Sequence, residues 1–150
     1  MSEFFSWQRL VSCFPKLIRY LPVTFEIVGL SAVTGILLGT LIAAVRIRRV
    51  PIIDKVCAVF ISFMRGTPML VQMLVSYYAI PLVLEKLFGI DSRRWPKIVF
   101  VYITFALNQG AFLSEMIRSS ILAIPQGQTE AGLACGLTSF QTFFRIIIPQ

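Results

Sequence analysis

The sequence predicts an all-α membrane protein with three bilayer-crossing helices, and three observations carry that prediction. Hydrophobic residues make up 57% of the chain and charged residues only 14%, about half the charged share of an average soluble domain. Mean hydropathy is +0.80. Three apolar runs, about 22–45, 68–84 and 98–117, reach or approach the roughly 20 residues that a helix needs to cross a bilayer. A first segment, 1–21, and a last one, 119–150, are more polar and flank a membrane part at 22–118.

Residues 1–21 place Phe4, Phe5, Trp7, Leu10, Val11 and Phe14 around Arg9, Lys16 and Arg19, a pattern suited to a helix lying in the interface. The first span, Pro22 to Val45, contains one carboxylate, Glu26. At ~1.5 Å per residue its roughly 36 Å exceeds the ~30 Å hydrocarbon core. It is also longer than the apolar stretch of about 7 to 15 residues in a cleaved signal peptide. Within it Ser31, Gly35, Gly39 and Ala43 recur on one face, where missing bulk lets another helix approach closely. That neighbour is either another span of the same chain or a second copy.

The next apolar region is interrupted by Arg65-Gly66-Thr67-Pro68. Before the break, Ile52, Ile53, Val56, Cys57, Val59, Phe60 and Phe63 repeat at helical spacing and predict an interfacial elbow helix. After it, Thr67 is placed to cap and Pro68 to open a span running to about Leu84. Arg65 then lies near a membrane surface, either snorkelling or positioning the break. Gln72, one turn into the span, requires a hydrogen-bond partner or water.

A polar connection, Glu85 to Lys97, ends in Arg93-Arg94-Trp95-Pro96, with Trp95 as an interfacial anchor. In the third span Thr104, Asn108, Ala111, Glu115 and Ser119 fall within about 80° of one another at 100° per residue. A polar stripe of this kind faces protein or water, because a carboxylate in hydrocarbon costs several kcal/mol. Glu115 either pairs with Arg118, three residues on, or lines a path for an amphiphilic solute. Beyond this span Ile124-Pro125 breaks the helix. A new one is expected near Thr129 as N-cap, with Glu130 at its positive end and Gly136 ending it.

The spacing of this last segment carries a resemblance. Glu130-Ala131-Gly132, three residues, Gly136, nine residues, Ile146-Ile147-Ile148-Pro149 resembles the EAA loop of ABC-importer permeases, usually written EAA, x3, G, x9, I-x-L-P. Gly132 stands where that pattern has alanine, and Ile148 where it has leucine. Gly127-Gln128 before the motif, Arg65-Gly66-Thr67-Pro68 followed by Met69-Leu70-Val71-Gln72, and Ala111-Phe112 with Glu115 and Arg118 are similar to the polar amino-acid branch of that family. The plain alternative is a surface helix-turn-helix between two spans.

The resemblance implies a type I ABC-importer permease core in a bacterial inner membrane, with a cytoplasmic coupling helix that docks on a separate ATP-binding subunit. It also implies an extracytoplasmic solute-binding protein and a second permease copy or sister permease as partners. Glu130, Ala131, Gly132, Gly136 and Pro149 are then the coupling residues, Gln72, Asn108 and Glu115 the pathway residues, and Arg65 to Pro68 structural. Family members continue past the terminal motif with further spans, so a truncated or partial form, or a partner that supplies the rest, is expected.

Other classes are excluded or disfavoured by composition. No glycine is followed by lysine, so no phosphate loop of the G-x-x-x-x-G-K-[ST] type occurs and ATP hydrolysis is assigned to a partner. Without histidine or a close cysteine pair, neither a metal site nor histidine-based catalysis is expected, and no cofactor is implied. The +7 net charge flanks apolar runs, as beside anionic head groups, and forms no patch for nucleic acid. Charge counting leaves orientation open, at six basic residues on one side and seven on the other, although the cluster Arg46 to Arg49 favours the cytoplasm. The rival function is a small oligomeric channel without ATP coupling.

Overall fold

A computed structural model describes residues 6–150. Phe4 and Phe5, and the side chains of Arg9 and Leu10, lie outside the described residues. Six α-helices follow one another: α1 (Trp7–Ile47), α2 (Ile53–Gly66), α3 (Met69–Phe88), α4 (Lys97–Ala123), α5 (Gln126–Ala134) and α6 (Ser139–Thr142). The last continues into a π-helical turn, Phe143–Ile147. Within α1, α3 and α4, the segments Val11–Ile47, Met69–Phe88 and Lys97–Ala123 are long and apolar enough to cross a membrane.

The expected boundary at Pro22 is not a helix break, since α1 runs for 41 residues through both Pro15 and Pro22. Each proline removes one backbone donor, but no glycine or polar turn stands beside it, and apolar helices tolerate the loss. At ~1.5 Å per residue the helix is about twice as long as the hydrocarbon core is thick, so it must tilt or project beyond it. Helix α4 likewise runs past the expected end at Ile117. The Ser119 hydroxyl donates to Met116 O at 3.0 Å, which satisfies that side chain inside the helix instead of ending it.

Packing centres on α1 against α4. Ser31, Gly35, Gly39 and Ala43 are all buried, so the small-residue face of α1 serves contact within this chain. A Cβ built on Gly35 would lie 2.7 Å from Gln109 Cβ. Lacking it, the two backbones approach closely and gain dispersion contacts that lipid cannot outcompete. Beside this seam Ile42, Ile61, Met64 and Ala111 form the core, ringed by Leu38, Cys57, Phe60 and Leu107.

The elbow helix α2 divides its expected apolar set, packing Cys57 and Phe60 and leaving the rest outward. Cys57, Phe60, Ile61 and Met64 pack, whereas Ile53, Val56, Val59 and Phe63 are exposed. Apolar periodicity here marks both a protein-facing and an outward-facing stripe, because apolar exposure carries no penalty against lipid. At the opposite end of the spans, Trp95 stacks on Phe100 with centroids 6.5 Å apart, and Tyr77 meets Phe100 edge-on at 5.4 Å. Nearby, Arg93 pairs with Glu85.

Candidate functional site

The break between α2 and α3 is held by one buried glutamine. Gln72, 2% exposed, donates from Nε2 toward Met64 O (2.7 Å), Thr67 O (3.0 Å) and Thr67 Oγ1 (2.9 Å). Its Oε1 accepts from Asn108 Nδ2 at 2.9 Å. The partner expected for Gln72 is therefore the unpaired end of α2 together with the polar face of α4. This satisfies carbonyls that a helix terminus otherwise leaves orphaned.

Thr67 differs from expectation. It closes α2 by donating from Oγ1 to Phe63 O at 2.7 Å and does not cap α3, which starts at Met69 behind Pro68. Arg65 is exposed and stands over the Phe112 ring, 5.5 Å from its centroid, a cation–π contact that fixes the end of α2 against α4.

On α4 the polar stripe faces protein along most of its length. Thr104 and Ala111 are fully buried. The hydroxyls of Thr104 and Ser114 donate to Phe100 O (2.7 Å) and Ala111 O (2.8 Å) within the helix. Asn108 and Glu115 keep partial exposure. Glu115 does pair with Arg118, whose Nε lies 3.1 Å from Oε1, and its other oxygen accepts from Arg46 of α1. Arg46 in turn reaches Asp54 of α2 at 3.2 Å. The sequence reads Arg46 only as part of a basic cluster and gives Asp54 no role. The available signal was an arginine and an aspartate eight residues apart across a turn, beside a span carrying an unneutralised carboxylate. A cleft of about 380 Å³ opens next to this group, bordered by Arg65, Gln109, Phe112, Glu115 and Ser119.

Helix α5 begins at Gln126, directly behind Pro125, three residues before the expected Thr129. Glu130 consequently lies in the second turn, exposed, and not at the positive end of the helix. Gln126 to Ala131 are all exposed, while Gly132 is buried. A Cβ on Gly132 would come within 2.7 Å of Thr142 Cγ2 and 3.0 Å of Ile146 Cδ1, so this glycine seats α5 on the segment that follows. Gly136 does close the helix. It takes φ +84°, its N–H donates to Leu133 O (2.9 Å), and the Leu137 N–H donates to Gly132 O (3.1 Å). These are the two bonds of a Schellman motif. Thr138 and Gln141 then cap α6 reciprocally, and Pro149 is exposed after the π-helical turn.

Residues 35–150 match the family described as "Binding-protein-dependent transport system inner membrane component". Among curated relatives, the chain is 39% identical over its whole length to the L-cystine transport system permease protein TcyL of Bacillus subtilis (strain 168), covering 62% of it. It is 32% identical over 97% of its length to the glutamine transport system permease protein GlnP of Escherichia coli (strain K12), covering 64% of it. A solved structure, "Crystal structure of an amino acid ABC transporter with histidines", superposes with TM-score 0.76 at 31% identity. That match covers 97% of this chain and 64% of the other. The chain thus spans less than two thirds of the length of each of these relatives. With three helices long and apolar enough to cross a membrane and a family match from Gly35 to Gln150, the chain belongs to the binding-protein-dependent transport system inner membrane components.

Proposed function

We propose that this chain is the membrane-spanning part of a permease in an ATP-driven importer for a polar amino acid, and that α5 is the handle by which a cytoplasmic ATPase moves it. The observation that carries this reading is the placement of α5. It follows α4 after only Ile124 and Pro125, its outer face is exposed, and its end is closed rigidly by Gly136 and Gly132. Force applied to such a helix is delivered to α4 with little slack. Glu130 and Ala131 form the docking face, Gly132 and Gly136 shape it, and Pro149 follows the packed turn beneath it.

The solute path runs along the partly exposed polar face of α4. Asn108 and Glu115 border it, and Gln72 supports Asn108 from within. The cleft beside them is bordered by Arg65, Gln109 and Ser119 as well as by the paired Glu115, polar groups suited to a polar solute. The curated relatives named above are described as carrying L-cystine and glutamine, which agrees with a polar amino acid as cargo. An extracytoplasmic binding protein delivers it, and a second copy or sister permease completes the path. ATP hydrolysis belongs to the partner, and the channel alternative finds no support among the relatives.

The test uses the assembled transporter in proteoliposomes. ATP hydrolysis that rises when loaded binding protein is added, together with solute uptake that requires ATP, is the expected result. Solute flux that proceeds unchanged without ATP would overturn the reading in favour of a channel.

A further inference from the structure

Four charges from three helices form one connected chain: Asp54 of α2, Arg46 of α1, and Glu115 and Arg118 of α4. Two positive and two negative groups sum to zero, so the set is self-compensating in a region where an unpaired charge is costly. By contrast Arg48, Arg49 and Lys55 nearby have no ion pair among the described residues. Arg46 is the branch point, with Nε directed to Asp54 and Nη1 to Glu115. A planar guanidinium can serve two carboxylates on different helices in this way, whereas an ammonium is a single point of charge.

The turn that Arg46 spans is strained. Arg49 has φ 51°, and Ile52 has φ 47° with ψ −57°, a positive φ that is a genuine outlier for a β-branched residue. Such backbone persists only where the surroundings over-determine it, and the Arg46–Asp54 bond closes across this turn. At its far end α2 is tied again, since Gln72 holds the Met64 carbonyl and Asn108 together. The elbow helix is thus fastened to α4 at both ends.

We propose that Arg46 is a positioning residue that clasps α2 to α4, so that displacement of α4 by the attached α5 is passed to the elbow and on to the start of α3. This deepens the transporter reading and rests on it. In this role Glu115, at the border of the solute path, acts by holding Arg46.

The experiment measures solute uptake and ATP hydrolysis in the same proteoliposomes, for the complete transporter carrying Arg46→Ala, Arg46→Lys or Asp54→Ala. The expected result is that Arg46→Ala assembles with the ATPase and hydrolyses ATP, while solute moved per ATP falls by a factor of about ten. Arg46→Lys recovers part of that loss, and Asp54→Ala, which frees only α2, lowers the ratio too. A role in stability alone would reduce assembly and hydrolysis together and leave the ratio unchanged, which would overturn the clasp. If Arg46→Ala fails to assemble, Asp54→Ala decides: a lowered ratio supports the proposal and a normal ratio overturns it. ATP hydrolysis in the unaltered transporter that is indifferent to solute and binding protein would instead overturn the transporter reading, and the clasp with it.

Discussion

Gly39 of α1 and Gly110 of α4 meet backbone to backbone. A Cβ on Gly39 would lie 3.1 Å from the Gly110 carbonyl oxygen and 2.9 Å from Leu113 Cβ, and a Cβ on Gly110 would lie 2.7 Å from Leu38 Cδ2. Neither neighbour is the free end of a long side chain on the Gly39 side, so the helices themselves would have to part. Gly39→Val is therefore expected to destabilise the protein by about 1–3 kcal/mol, as overpacking of a tight contact does. Gly29→Val, on the same helix with nothing within 4 Å, serves as control and is expected to change little. Thermal inactivation in detergent compares the two, and equal behaviour would contradict the packing described.

The Gln72–Asn108 hydrogen bond, 2.9 Å long, joins the broken α2–α3 segment to α4 through a buried glutamine and a half-buried asparagine. Gln72→Leu leaves the Met64 carbonyl and the Asn108 amide without partners and is expected to cost about 1–3 kcal/mol. Asn108→Ala alone is expected to cost less, since Gln72 retains Met64 and Thr67. A double-mutant cycle is expected to return a coupling of at least about 0.5 kcal/mol. Strict additivity would show that the two amides act independently.

At the end of α5 two glycines are required for different reasons, and substitution separates them. Gly136 has open space around it but φ +84°, so Gly136→Ala costs about 1–2 kcal/mol of backbone strain, and Gly136→Asn less. Gly132 has ordinary helical geometry but no room, so Gly132→Val forces Thr142 and Ile146 away. Limited proteolysis of residues 126–150 reads both effects, with Gly132→Val expected to be cut fastest. Faster cleavage of Gly136→Asn than of Gly132→Val would reverse this assignment.

The three spans and the small-residue stripe of α1 were legible because their signals are long and periodic. Gly136 was legible because a left-handed helix end favours glycine strongly. The start of α5 was not, since the preset φ of Pro125 opens the helix without a polar cap. The run of α1 through Pro15 and Pro22 escaped for a related reason, as the proline penalty is local and the flanking apolar turns keep their bonds. Thr67 serves the helix behind it, and no local pattern tells which of two adjoining helix ends a threonine bonds. Of the charge chain, the Glu115–Arg118 spacing is the part that local helix geometry pairs directly, and the Arg46–Asp54 separation is only a weak signal across a turn. The Arg46–Glu115 contact joins positions far apart in the chain and exists only once α1 has packed on α4.

The most direct test of the account is cross-linking from α5 to the ATPase in native membranes. Glu130→Cys is placed in a chain whose free cysteines Cys13, Cys57 and Cys135 are replaced by serine, and a short bifunctional thiol reagent is applied to the assembled transporter carrying a single cysteine on the ATPase surface. A permease–ATPase adduct is expected from position 130, with a yield that changes on nucleotide binding, and none from an equivalent cysteine at Phe25, an exposed position near the middle of α1. An adduct from position 25 with none from 130 would contradict it.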